Sequence, residues 1–188
     1  MAPSLLLAVV GGLVLLLLLV VAALLAKRCY VAVPSGFALI VTRPSGAVVT
    51  YSGALVLPGI QKAELMDLRT HVLERRRLSE SPVVTKDRVP LVARVSYHLR
   101  VHKEPSDVLK VAQALGVERA NDPAYLDRHF GPKIEAALEY VASTLDGDEM
   151  LTKRGLVIDE MARWIGADLG GFVLDDLTVV ELARVHAD

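Results

Sequence analysis

The chain has 188 residues and a formal net charge of −1, so it carries no basic field suited to holding a nucleic acid. Its 53% hydrophobic content is inflated by one N-terminal run, and the rest of the chain has ordinary composition and enough length for one packed domain. A single cysteine, Cys29, excludes an intrachain disulfide and a thiolate zinc site.

From Leu5 to Ala26 no residue is charged, and the run stops at Lys27-Arg28. At about 1.5 Å per residue this segment makes roughly 33 Å of helix, enough for a hydrocarbon core of about 30 Å. A cleaved signal peptide fits poorly. Only Met1-Ala2-Pro3-Ser4 precedes the run, with no basic residue, and no clear A-x-A site comes after it. Residues 1–28 are therefore expected to be a retained, single-pass transmembrane anchor. Lys27 and Arg28 flank its carboxyl end and no Lys or Arg precedes it, so the positive-inside rule places the C-terminal domain in the cytoplasm. Cys29 falls at headgroup depth, where an idle thiol is the plainer reading and acylation the alternative. Gly11-Gly12 reads as small residues tolerated in lipid or as a helix-packing face.

Beyond the anchor the period changes to that of strands. Val31-Ala32-Val33 precedes Pro34-Ser35-Gly36, and Phe37 to Val41 forms the next apolar run. Arg43-Pro44-Ser45-Gly46 is a turn before Ala47 to Tyr51, and Pro58-Gly59 punctuates before a strand from Lys62 to Leu68. Strands are also expected over His71–Leu78 and Val89–Val101. In the latter, Leu91, Ala93, Val95, Tyr97, Leu99 and Val101 alternate strictly with more polar residues. Arg75 and Arg77 fall on one side of their strand and Arg76 on the other. A solvated strand face is the plain reading of this cluster, and contact with anionic lipid headgroups the alternative.

After Lys103 the pattern is helical. Ser106 is placed as the cap of a helix ended by Gly116. Asp122-Pro123 opens a second helix to about Leu145, which Gly131-Pro132 should kink or interrupt. Asp148 is placed as the cap of a third, running to about Leu169 with a weak point at Gly155 and a stop at Gly170-Gly171. Phe172 to Leu182 reads as a closing strand. Strands succeeded by helices argue an α+β fold with helices on one antiparallel sheet.

No reactive constellation emerges, so no catalytic, cofactor-binding or metal-ligating residue is assigned and no cofactor is expected. His71, His98, His102, His129 and His186 are scattered, and His98 and His102, four apart in a strand, sit about 13 Å from each other. Asp175 and Asp176 are adjacent in a strand and face opposite ways. Nucleotide-binding and hydrolase motifs are absent. Thr85-Lys86-Asp87-Arg88 reads as an Asx-type turn between strands. Trp164 falls with Leu156, Val157, Met161 and Ile165 on an apolar helix side, as a core or interface anchor.

Taken together, the anchor, the stretch Tyr30 to Val41, Gly53-Ala54-Leu55-Val56-Leu57-Pro58, Glu64 to Arg69 and Thr85 to Val101 resemble the SPFH (band 7) domain of stomatins, prohibitins and flotillins. The Gly53–Pro58 and Thr85–Arg88 stretches, with Val111 to Gly116, lean toward bacterial flotillin-like membrane proteins. The resemblance implies anchor 1–28, an SPFH-like domain over 30–184 and a tail over 185–188. It also implies a non-enzymatic scaffold that oligomerises, alone or with other SPFH proteins, and organises membrane microdomains or partner proteins. A regulatory adaptor of a membrane protease, or a minimal lipid-binding module, is the alternative. Membrane lipids are the expected partners, with a membrane protein or protease as a further one, and nucleic acid is not. Two departures stand out. The coiled coil that commonly succeeds such a domain does not appear before Asp188, so smaller or mixed assemblies are expected. Ala137-Leu138-Glu139 carries an acid where many relatives have arginine, at a possible subunit contact.

Overall fold

The computed structural model describes residues 3–166 and 169–185, which form two compact units, Met1–Leu65 and Met66–Asp188. His186 and most of the expected tail lie outside the described residues.

In the first unit, α1 (Pro3–Cys29) runs without a linker into β1 (Tyr30–Ala32). It contains the one described helix long and apolar enough to cross a membrane. β2 (Phe37–Arg43) and β3 (Gly46–Thr50) form a hairpin, β4 (Gly53–Leu55) pairs back onto β1, and β5 (Lys62–Asp67) joins β2. β4 is a strand the sequence pattern missed, because three residues are too few to show a period. Leu39, Val41 and Val56 make a small core, with Val31, Val33, Ala54 and Ala63 packed around it.

The second unit is built on β8 (Pro90–Val101). β9 (Phe172–Arg184) pairs along one whole edge of it, while β6 (His71–Arg77) and the short β7 (Val83–Val84) share the other. The alternation of β8 is reproduced in three dimensions except at Ser96, which is buried as well. Leu91, Ala93, Val95, Tyr97, Leu99 and Val101 are all buried under helices. Those helices are α2 (Pro105–Ala114), α3 (Val117–Ala120), α4 (Pro123–Thr144), α5 (Gly147–Thr152) and α6 (Arg154–Ile165). α4 lies across β6 and β7 and is flanked by α6. The architecture is the expected mixed α+β with antiparallel sheets.

Several helix boundaries differ from the sequence reading, each for a local reason. Glu104, not Ser106, is the N-cap of α2, because Pro105 takes the first helical position where its missing N–H costs nothing. Asp122 caps α4 as expected, accepting from the Ala124 N–H at 3.0 Å. Gly131-Pro132 does not interrupt α4, which continues through it to Thr144. The third helical stretch is two helices. Asp146 rather than Asp148 precedes α5, the break falls at Lys153 rather than Gly155, and α6 ends at Gly166 with φ 75°. The expected extension to Leu169 passes through residues outside the description.

Candidate functional site

The end of α1 is tied to the sheet beyond it. The Val56 N–H donates to the Cys29 carbonyl at 2.8 Å, capping one of the carbonyls that a helix end leaves open. Tyr30 stands opposite Leu55, and Ala32 opposite Gly53. A Cβ on Gly53 would lie 2.6 Å from the Tyr30 hydroxyl, so this corner accepts only glycine, at φ 139°. Past β4 the chain makes a compact turn over Leu57-Pro58-Gly59-Ile60. The Gln61 N–H donates to the Leu57 carbonyl at 3.1 Å, and the Gln61 side-chain oxygen accepts from the Leu57 N–H at 3.2 Å.

This ordered corner is apolar on its outside. Tyr30, Leu55, Leu57 and Ile60 are all at least half exposed, with Ile60 reaching 66%. Turn tips ordinarily carry polar residues, and leaving such side chains in water forgoes on the order of 1.5–3 kcal/mol each. Beyond the final turn of α1, with Lys27 and Arg28 at the helix end, they make an exposed apolar surface. Sequence reading treated Pro58-Gly59 only as punctuation. The available signal was the apolar residues on both sides of it.

The Arg75-Arg76-Arg77 cluster does not behave as a solvated strand face. Arg75 and Arg77 turn onto α4. Arg75 donates to the Asp127 carbonyl at 2.6 Å, and it approaches the Asp127 carboxylate at 3.2 Å and that of Glu135 at 3.5 Å. Arg77 pairs with Glu139 and lies 3.6 Å from Glu135. The Tyr97 hydroxyl donates to Asp127 at 2.9 Å, and burial together with that bond holds its proton well above the usual phenol range. Gly131 is small for the same reason. A Cβ there would stand 2.0 Å from Arg75 Nε. Pro132 has no N–H for the Arg128 carbonyl one turn back, and Arg75 donates from outside the helix to the neighbouring Asp127 carbonyl, not to that one. Glu139, read as a charge reversal at a subunit contact, has its partner inside the chain. Only Arg76 points outward, 3.3 Å from Glu74.

Thr85-Lys86-Asp87-Arg88 is more than a turn. The Lys86 N–H donates to the Ala142 and Leu145 carbonyls at the end of α4, at 3.0 and 3.1 Å. The Asp87 carboxylate accepts from the Thr85 hydroxyl and from the Gly147 N–H at the start of α5, the latter at 3.0 Å. The loop therefore caps two helix ends at once. The Thr85 hydroxyl, with the Gly147 and neighbouring backbone N–H groups after it, holds the Asp87 carboxyl below its ordinary range. Arg88 closes the loop at φ 63°.

The remaining candidates separate. His102 meets Asp107 at 2.7 Å, His129 stacks on Tyr125, and His98 stands opposite Asp176 on β9. Asp175 binds Arg100 at 2.7 Å while Asp176 accepts from Thr178, so the two carboxylates are divided as expected. Among the described residues no group of three or more His, Cys, Asp or Glu side chains is placed to hold a metal. Trp164 is not core. Val157, Met161 and Ile165 are buried, whereas Trp164 is 40% exposed and tilts against Tyr140 with ring centres 6.2 Å apart.

No curated protein sequence matches the chain. The model of the SPFH domain / Band 7 family, whose members are generally membrane-associated scaffolds without enzymatic activity, matches residues 31–187, and the chain belongs to that family.

Proposed function

We propose that this protein is a single-pass membrane scaffold, flotillin-like in character, whose C-terminal domain lies on the cytoplasmic side and which self-associates to organise lipids or partner proteins. The observation that carries this reading is the direct passage from α1 to β1, with the Val56–Cys29 hydrogen bond closing the corner. A domain attached without a linker works at the bilayer surface. The apolar side chains of Tyr30, Leu55, Leu57 and Ile60 then rest at the depth of the lipid headgroups and upper acyl chains. One span gives each subunit a modest lateral preference, and linking several subunits multiplies it by avidity. The mass of the full-length protein in a mild detergent tests this. The expected result is a multi-subunit species, and a monodisperse monomer across several gentle detergents contradicts it.

A second reading, an adaptor for a membrane protease or another membrane protein, is favoured by the exposed Tyr140–Trp164 pair on α4 and α6. Exposed aromatic anchors of this kind dominate protein interfaces. Under it, Tyr140→Ala/Trp164→Ala abolishes co-purification of one specific membrane protein while leaving self-association intact. Unchanged co-purification rejects it.

A further inference from the structure

The sheet of Met66–Asp188 has β8 in its middle and two outer edges, one on β9 and one on β6. The β9 edge is guarded. Its register against β8 slips twice, leaving Asp175 and Val180 as extra residues, and such bulges turn an edge away from further pairing. β6 has no such device. His71–Arg77 runs in unbroken register against Leu99–Ala93, holds no Pro or Gly, and pairs on its outer edge with no strand among the described residues. A regular edge is a template for another strand, and the charges from Glu74 to Arg77 along it restrict that strand to one that complements them.

The residues on its solvent face identify that strand. Val72, Glu74 and Arg76 point outward, with Leu78 just past the strand end. Val72 and Leu78 are 61% and 62% exposed. If two copies of β6 pair antiparallel about a two-fold axis at Arg75, Val72 faces Leu78 of the second copy and Glu74 faces its Arg76, each contact occurring twice. Moving the axis to Glu74 sets that carboxylate against itself, and moving it to Arg76 does the same with two guanidinium groups. A half-residue shift sends the side chains to opposite faces of the sheet. Arg75 on the axis is already neutralised within its own chain by Asp127 and Glu135, so its like-charged neighbour is tolerated.

We propose that the outer edge of β6 is a homotypic docking surface, on which a second copy adds its own β6 antiparallel in the register centred on Arg75. This rests on the self-associating reading above and names the contact. In a Cys29→Ser background, the full-length protein in membranes carrying Val72→Cys and Leu78→Cys together should form a disulfide-linked dimer under mild oxidation. Each single variant should not. Within one strand these positions are roughly 20 Å apart, too far to bond to each other. Glu74→Arg should lower the dimer fraction at fixed concentration by about tenfold, and adding Arg76→Glu should restore it by exchanging the two charges. Absence of the double-cysteine dimer in a protein that still assembles overturns this pairing and leaves the scaffold reading standing. Equal cross-linking of the single variants also overturns it, and a monomeric wild-type protein overturns both.

Discussion

The two units hold themselves together differently. Among the described residues, seven large apolar side chains are exposed between Tyr30 and Leu65, and the same number is spread over the far longer Met66–Asp188. The first unit has a small apolar core and few side-chain ties. The second has a sheet covered by helices and a polar network of Arg75, Arg77, Tyr97, Asp127, Glu135 and Glu139 locking one to the other. Apolar surface left outside is wasted in water but useful at a bilayer, whereas half-buried charges are tolerable only when paired. Under the proposed function the first unit meets lipid, while the second keeps its shape.

Substitutions separate these two designs. Leu126→Ala, at a fully buried position on α4, is expected to lower unfolding stability by roughly 2–5 kcal/mol. Ile60→Asp, at an exposed tip, should change it by less than about 0.5 kcal/mol. Denaturant unfolding of the detergent-solubilised protein measures both, and equal effects would erase the distinction. Gly131→Ala comes next. Alanine is the better helix former by about 1 kcal/mol, yet the added methyl must displace Arg75 from α4, so a net loss of about 1–2 kcal/mol is expected. A gain in stability would show that the guanidinium does not hold that site.

The smallest effect is a dependence on pH. The carboxyl of Asp87 is held below its unfolded value, near 3.9, by the Thr85 hydroxyl first and then by backbone N–H groups including that of Gly147. A depressed folded value means that the ionised form stabilises the fold above the unfolded pKa, and that this contribution disappears as pH falls through the folded one. Asp87→Asn should therefore melt earlier than the parent at pH 7, with the gap closing as the pH is taken below about 4. A gap that stays constant with pH would assign the loss to something other than the charge.

The sequence made the scaffold of the fold readable where periodicity was strong. The uncharged run from Leu5 to Ala26 lies within one helix, and the alternation from Leu91 to Val101 holds except at the buried Ser96. Asp122-Pro123 was legible because a capping carboxylate with proline directly after it leaves few alternatives. Other features depend on contacts distant in sequence. Gly131-Pro132 looks like a break until Arg75, far away in the chain, is seen lying against it. Glu139 looks like a free charge until Arg77 is placed beside it. Asp87 looks like a local turn residue, yet one of its acceptor bonds goes to Gly147. Trp164 sits one step around α6 from the buried stripe, and a helical wheel alone does not decide on which side of that boundary it falls.

The seating of the first unit in the bilayer is tested most directly by a fluorophore at Ile60, in the full-length protein carrying Cys29→Ser and Ile60→Cys and reconstituted into vesicles. Quenching by brominated acyl chains is then compared with quenching by aqueous iodide. The proposed seating predicts strong quenching from the lipid and weak quenching from iodide, while strong iodide quenching without lipid quenching would contradict it.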